Sequence, residues 1–234
     1  MATSLGIGGQ IVTDGLVLCL DAANKDSYPG TGTTWYDLAG NSNGTLANGP
    51  TFDSGNGGSL VFDGVNDTVT MGSNSTRTNL GITSYFTFNI WINAIDEGDQ
   101  FGFPGYSPYW GYTMRTSVTD SNTKILAYLL YQDSGGVWQS SYSSDTLNKG
   151  NIEEWVNFVI TFDNGTVTHY VNGTQGTSTT LALTGQNPTQ NLQYGIVGWN
   201  YYEGKFANGN IYNRVLTASE VLQNYNATKS RFGL

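Results

Sequence analysis

The sequence predicts an all-β protein, a single antiparallel two-sheet sandwich of jelly-roll type with about 11–13 strands and one short C-terminal helix. Four observations support this prediction. Glycine accounts for 31 of the 234 residues, and charged residues make up 12%, about half of the usual share. Aromatic residues reach 13%. Short runs with period-two alternation are separated by turn pairs such as Asn-Gly, Asp-Gly and Pro-Gly.

The clearest element is a β-hairpin at residues 155–173, WVNFVITFDNGTVTHYVNG. Asn164-Gly165 provides the two residues with positive φ that a type I′ turn requires. With these two as the loop, the cross-strand pairs are Asp163–Thr166, Phe162–Val167, Ile160–His169 and Phe158–Val171. One face is then apolar, and the other carries Trp155, Val159 and Tyr170. We therefore expect cover on both faces, as in a two-sheet sandwich.

Other runs of strand length are taken in chain order. Residues 15–21, GLVLCLD, predict a strand buried on both faces, with Cys19 as a small buried hydrophobe. Residues 59–70 predict two short strands around the turn 63–67, and residues 85–92, YFTFNIWI, predict a central strand. Further strands are expected at residues 124–131, 137–142, 179–183, 193–199 and 206–212.

Two segments differ from this pattern. Residues 96–112 contain two prolines, four glycines and six aromatic residues, so we expect no regular central strand there. Near the C-terminus, Thr217 followed by Glu220 predicts a capping box that begins the helix. We divide the chain into an N-terminal arm, residues 1–10, and one jelly-roll domain, residues 11–234. The arm is either a frayed terminus or an extension that lies on a neighbouring subunit.

The charge balance excludes several partners. The formal net charge is -9, from 9 basic and 18 acidic residues, so a nucleic-acid partner is not expected. No apolar run approaches the roughly 20 residues that span a bilayer. The first ten residues lack the features of a secretory signal, and Cys19 is the single cysteine. These features indicate synthesis in a reducing cytoplasm.

Several motifs then follow one another in a characteristic order. They are GLVLCLDA at 15–22, TWYDL at 34–38, LVFDGVND at 60–67, YVNG at 170–173 and IYNRVLTASEV at 211–221. This order resembles the laminin-G-like, concanavalin A-like jelly-roll superfamily, and more narrowly the stand-alone form found in virion structural proteins of tailed bacteriophages. The resemblance implies two antiparallel sheets, one of them concave, and binding of glycans, other proteins or virion surfaces.

The same superfold hosts glucanases that carry three carboxylates on one strand, close enough for a nucleophile and an acid. The nearest candidate is Glu97-Gly-Asp99, but Phe101 and Gly102 stand where the third carboxylate belongs. His169 is the only histidine and lies in mid-strand, which does not favour a Ser-His-Asp arrangement. We therefore expect no enzymatic activity and no catalytic residues.

Calcium is the candidate cofactor, because related laminin-G-like domains often bind it at the rim of the sandwich. Asp63, Asn66 and Asp67 lie within five residues and could supply oxygen ligands. Residues 96–99, with three carboxylates, form a second candidate group. The alternative for both is ordinary Asx-turn chemistry.

Sugar binding requires exposed aromatic faces beside hydrogen-bonding groups. Two groups of aromatic residues meet this description in the sequence. The alternative is that these rings fill the core or a subunit interface. The candidates are Tyr106, Tyr109, Trp110 and Tyr112 in one group, and Trp199, Tyr201 and Tyr202 in the other.

Two functional hypotheses from different classes remain open. The first is a non-enzymatic phage structural protein on the virion surface, such as a capsid decoration or head-fibre subunit. Its partners would be major capsid or tail proteins, and it would form a homo-oligomer on the particle. The alternative is a tail-associated adhesin that binds glycans of the host surface. A glycoside hydrolase is the disfavoured third hypothesis.

Overall fold

A computed structural model of the protein describes most of the chain. For the described residues between 100 and 142, only the backbone is described. The described residues are 10–40, 42–72, 79–82, 84–94, 100–106, 110–119, 122–132, 138–142, 154–180, 192–197 and 200–234.

The described residues form eighteen strands and one α-helix, α1 (Ala218–Thr228). This number exceeds the expected 11–13, and four of the strands have only two residues. In chain order the strands are β1 (Leu16–Asp21), β2 (Thr34–Trp35), β3 (Gly44–Ala47), β4 (Thr51–Asp53), β5 (Ser59–Asp63), β6 (Thr68–Met71), β7 (Tyr85–Ala94), β8 (Gln100–Tyr106), β9 (Trp110–Thr119), β10 (Asn122–Gln132), β11 (Trp138–Tyr142), β12 (Val156–Asp163), β13 (Thr166–Val171), β14 (Thr174–Thr180), β15 (Gln193–Tyr194), β16 (Ile196–Val197), β17 (Asn200–Tyr201) and β18 (Glu203–Tyr212).

Two eight-stranded sheets account for most of these strands, and every strand pair is antiparallel. The first sheet has the order β14–β13–β12–β7–β18–β5–β4, and β1 also pairs with β18. The second sheet has the order β11–β10–β9–β8–β15–β6–β3–β2, while β16 and β17 form a small ribbon. This arrangement confirms the predicted two-sheet sandwich.

The hairpin of β12 and β13 has the register that its turn predicts. Phe158 pairs with Val171, Ile160 with His169, Phe162 with Val167 and Asp163 with Thr166. Its apolar face lies in the main core, which also receives the inward side chains of the neighbouring strand β7. Alternation places His169 on the same inward face as Val167 and Val171, and its side chain is fully buried.

The outer face of the first sheet is covered in part by α1. Val159 and Tyr170 on this face pack with Leu216 and Val221 of the helical segment. Trp91 stacks between Tyr225 and Phe232, with ring centroids 5.8 Å and 4.1 Å away. The hairpin is therefore apolar on both faces because each face packs on another layer, as its sequence predicts.

The start of α1 confirms the predicted capping box. The Thr217 hydroxyl accepts a hydrogen bond from the backbone N–H of Glu220, and the Glu220 carboxylate accepts one from the backbone N–H of Thr217. Glu220 also accepts from both terminal nitrogens of Arg214, at 2.6 and 3.0 Å. The motif at 211–221 thus fixes the end of β18 and the beginning of the helix.

The prediction for residues 96–112 was wrong in one respect. β8 occupies residues 100–106 inside the second sheet, between β15 and β9. Its pairing with β9 shifts register between Phe103 and Tyr106, the stretch that contains Pro104. A bulge of this kind accommodates a proline that regular pairing would not, because the proline donates no hydrogen bond.

The helices of the described residues are all too short or too polar to span a bilayer.

Candidate functional site

The turn that joins β5 to β6 contains the predicted metal ligands, and its carboxylates make local hydrogen bonds. Oδ1 of Asp63 accepts from the backbone N–H groups of Val65 and Asn66, at 2.9 and 3.4 Å. Oδ2 of Asp67 accepts from the backbone N–H of Asp63 at 3.1 Å. The Asn66 carbonyl accepts from the Asn48 side chain. This is Asx-turn chemistry, the alternative that the sequence left open.

Asp67 is the one unusual member of this turn. It is 3% exposed, and its Oδ1 is buried and accepts no hydrogen bond. Burial raises the pKa of its carboxyl above the usual range, although the Asp63 N–H opposes the rise. A single buried oxygen does not fit calcium, which takes six to eight oxygen ligands. No group of three or more Asp, Glu, His or Cys suited to a metal occurs within the described residues, and residues 96–99 lie outside them.

The first group of predicted aromatic residues lies where β8 meets β9. Tyr106 pairs with Trp110, and Tyr112 pairs with Phe103 on one side and Leu129 on the other. For these three residues the structure describes the backbone, which lies in the second sheet. Tyr109 lies outside the described residues. The structure therefore brings Tyr106, Trp110 and Tyr112 to adjoining strands.

The second group is divided by the fold. Tyr202 is 1% exposed, donates to the carbonyl of Asn93 at 2.9 Å and packs edge-on against Phe62. It belongs to the core, so its ring is not available to a sugar. Tyr201 is half-buried at the end of β17, and Trp199 lies outside the described residues.

Two reactive side chains are unsuited to catalysis where they lie. His169 is enclosed between the sheets, neither ring nitrogen has a hydrogen-bond partner, and burial lowers its pKa to about 4. Burial, with the charges of Asp21 and Asp37, raises the pKa of the Cys19 thiol to about 12. A general base needs a hydrogen-bonded partner, and a nucleophilic cysteine needs a low pKa.

A polar row on the second sheet faces solvent. Thr34 pairs with Thr45, Thr45 with Thr70, and Thr70 with Gln193. Thr45 and Thr70 are exposed, and the Gln193 amide lies 3.4 Å from the Thr70 hydroxyl. The neighbouring positions along these strands, Leu46 and Val69 among them, face the core.

An exposed aromatic residue that the sequence did not single out lies on the first sheet. Tyr85, the first residue of β7, is 46% exposed and pairs with the exposed Asp163 of β12. The alternation of β7 already placed Tyr85 on the side opposite Phe86 and Phe88. Its position beside a carboxylate, however, depends on the pairing of two strands about 70 residues apart, which no local signal reveals.

The fold and its polar sheet surfaces define a lectin-like jelly roll. The model of the Concanavalin A-like lectin/glucanases superfamily matches residues 62–222, well over half of the chain. The chain therefore belongs to this superfamily. No match was found among the curated proteins.

Solved structures with the same fold include binding domains and an enzyme. Domain 4 of AbnA, a GH43 extracellular arabinanase from Geobacillus stearothermophilus solved with arabinotriose, has a TM-score of 0.60 at 19% identity, covering 90% of this chain and 98% of that one. The binding domain of Paraclostridial Mosquitocidal Protein 1 has a TM-score of 0.65 at 19% identity, and the match covers 91% of this chain and 52% of the toxin domain. Trypanosoma rangeli sialidase has a TM-score of 0.66 at 16% identity, and the match covers 98% of this chain and 35% of the sialidase. The chain thus spans about half of the toxin domain and a third of the sialidase.

Proposed function

We propose that this chain is a non-catalytic recognition module that binds carbohydrate through its jelly-roll surface. The observation that carries the proposal is the uncharged polar row Thr34, Thr45, Thr70 and Gln193 across four strands of the second sheet. Hydroxyl and amide side chains both donate and accept hydrogen bonds, which matches a ligand dense in hydroxyl groups. Charged residues make up only 12% of the chain, which is typical of a surface that is mostly neutral and polar.

Three further facts support binding without catalysis. The only histidine of the chain is buried, and neither of its ring nitrogens has a hydrogen-bond partner, so it is not placed to act as a general base. Domain 4 of AbnA, solved with arabinotriose, shares this fold over almost its whole length. The broken carboxylate motif at Glu97-Gly-Asp99 also disfavours hydrolysis.

The test is a printed array of neutral and sialylated oligosaccharides probed with the purified chain. Specific binding to a set of glycans is the expected result, and no binding to any of them would overturn the proposal. The predicted aromatic residues are tested on the same array with Trp110→Ala and Trp199→Ala. Release of reducing ends from a bound glycan, abolished by Glu97→Gln, would instead indicate a hydrolase.

A second proposal concerns the place where the module works. We propose that it is carried on the surface of a tailed-phage particle, as a capsid decoration or head-fibre subunit, in contact with major capsid or tail proteins and with other copies of itself. The motifs LVFDGVND and IYNRVLTASEV support it by their resemblance to virion proteins. Gln223 of α1 donates to the carbonyl of Gln10, and Asn224 accepts from the backbone N–H of Val12. Gln10 and Val12 therefore lie beside α1, and in this arrangement the arm that precedes them would contact a neighbouring subunit.

Cryo-electron microscopy of intact particles tests this second proposal. Density for the chain on the capsid lattice is expected for a decoration protein. Density confined to tail tips would favour a host-recognition adhesin. Absence of the chain from the particle would overturn the virion proposal and leave the carbohydrate proposal in place.

A further inference from the structure

A second polar row crosses four strands of the first sheet at its hairpin end. Tyr85 of β7 pairs with Asp163 of β12, Asp163 with Thr166 of β13, and Thr166 with Thr180 of β14. Directly opposed residues of antiparallel strands project from the same face of the sheet. Their neighbours Phe86, Phe162 and Val167 are buried in the core, so this row lies on the outer face.

A shorter row of hydroxyl groups lies beside the first. Thr168 pairs with Ser178, and their side-chain oxygens are 2.8 Å apart. Thr168 lies two positions after Thr166 and Ser178 two positions before Thr180, so both share the outer face of the first row. We call the surface made by the two rows the hairpin-end platform. Its members are Tyr85, Asp163, Thr166, Thr168, Ser178 and Thr180.

The helical segment covers the adjoining part of this face and leaves the platform open. The Thr87 hydroxyl donates to the Arg214 carbonyl and accepts from the backbone N–H of Leu216, which buries it. Thr161 is buried as well. By contrast, Tyr85, Asp163, Ser178 and Thr180 are exposed, and Thr166 and Thr168 are half-buried. The platform is thus open to solvent and bordered by the segment that leads into α1.

We infer that the hairpin-end platform binds a neutral oligosaccharide. The exposed ring of Tyr85 offers an apolar face on which the C–H face of a sugar ring stacks. The adjacent Asp163 carboxylate accepts hydrogen bonds from sugar hydroxyls, and the Thr and Ser hydroxyls both donate and accept. Four strands spaced about 4.8 Å apart make the row roughly 14 Å long. That length suits a short chain of sugars better than a single ring.

Charge determines the class of sugar. Asp163 is the only charged residue of the platform, and the chain as a whole carries a net charge of -9. A negative surface repels the carboxylates of sialic and uronic acids and does not affect an uncharged sugar. The platform therefore favours neutral glycans over sialylated ones.

The platform differs from the second-sheet row in one decisive feature. Thr34, Thr45, Thr70 and Gln193 supply hydrogen bonds, and none of them is aromatic. Hydrogen bonds to exposed hydroxyls compete with water, whereas stacking of a sugar on a ring removes apolar surface from water. Tyr85 therefore makes the hairpin-end platform the stronger of the two surfaces.

The inference rests on the proposed carbohydrate binding, and the same glycan array tests both. Tyr85→Ala is expected to weaken binding to neutral glycans about tenfold, and Asp163→Asn to weaken it by a smaller factor. Tyr36→Ala is the matched control, because Tyr36 is 47% exposed and lies on a loop away from the platform. Thr70→Val tests the second-sheet row separately. Thermal unfolding of each variant verifies the fold.

Each outcome separates the two claims. Loss of binding in Tyr85→Ala, with Tyr36→Ala unchanged, supports the platform. Equal binding by the wild type and Tyr85→Ala would overturn the platform and leave carbohydrate binding in place. The same holds if binding is lost only in Thr70→Val or only in Trp110→Ala. Preferential binding of sialylated glycans would overturn the neutral class. An array without any binding would overturn both claims.

Discussion

Arg231 and Asp21 are 210 residues apart in the chain and form an ion pair with an N–O distance of 2.7 Å. Asp21 ends β1 and is 4% exposed. The same guanidinium donates to the carbonyls of Asn56 and Gly58. One side chain therefore ties the C-terminal turn to the first strand and to the loop between β4 and β5.

Replacing Arg231 with Met should destabilise the protein by about 3 kcal/mol, because the buried Asp21 carboxylate then lacks its counter-charge. Urea unfolding at neutral pH measures the change. Lys205→Met is the matched control: its ion pair with Asp53 is also short, but both side chains are about a third exposed, so we expect less than about 1 kcal/mol. Equal effects of the two variants would contradict a special role for burial.

Gly195 should tolerate no side chain. Its φ is +87°, and a Cβ atom would lie 2.7 Å from the Asp67 carbonyl and 2.8 Å from the Phe62 ring. We expect Gly195→Ala to cost about 3 kcal/mol or more, from backbone strain and overpacking together. Gly32→Ala separates the two causes, because Gly32 has a φ of +91° and open space around it. It should cost only about 1 kcal/mol in urea unfolding. A cost for Gly195→Ala no larger than this would show that the clash is relieved by a small shift.

Local signals made part of this fold predictable. Asn164-Gly165 fixes the turn, and the turn fixes every pair of the hairpin from Asp163–Thr166 outward. The capping box at Thr217 and Glu220 likewise involves residues three apart. In both cases the deciding contacts lie within a few residues of one another, so the sequence contains the whole signal.

The remaining features depend on pairings between distant strands. β8 is a strand despite Pro104 because β15 and β9 flank it and a bulge takes up the irregularity. Tyr201 and Tyr202 are adjacent in sequence, yet one is half-buried and the other is in the core. The hairpin-end platform needs the β7–β12 and β13–β14 pairs together. A glycine-rich segment with aromatic residues is compatible with several such pairings, so sequence alone could not choose among them.

Glu220→Gln should destabilise the protein by about 1–2 kcal/mol at neutral pH. The Arg214 hydrogen bonds hold the pKa of the Glu220 carboxyl at about 2, well below its usual range. The unfolded chain therefore takes up a proton near pH 4.5 while the native carboxyl remains charged. The contribution is complete above that pH and is lost as the pH falls toward 2. The difference in unfolding free energy between variant and wild type should shrink over this range.

Asp14→Asn is the control for this prediction. Asp14 also pairs with Arg214, at 2.9 Å, but its side chain is 86% exposed. We expect a change below about 0.5 kcal/mol, because solvent screens an exposed pair. A larger effect from Asp14→Asn than from Glu220→Gln would show that the exposed pair, and not the capping box, stabilises the helix start.

His169 should make the protein less stable in mild acid. Burial lowers its pKa to about 4 in the folded protein, whereas a histidine of the unfolded chain has its usual value of about 6.5. Between these values the unfolded chain binds a proton that the native protein does not, so stability falls as the pH decreases from 6.5 to 4. The full loss is about 3 kcal/mol.

His169→Phe should remove this loss, since a neutral ring of similar size keeps the core filled. His169 is the only histidine of the chain, so the part of the pH dependence that vanishes in the variant belongs to this residue alone. Urea unfolding of both proteins at pH 7.5, 6.0 and 5.0 measures it. The wild type should lose stability relative to the variant at each step toward pH 5.0. Parallel curves would mean that the native imidazole takes up its proton at the same pH as in the unfolded chain, so that burial does not lower its pKa.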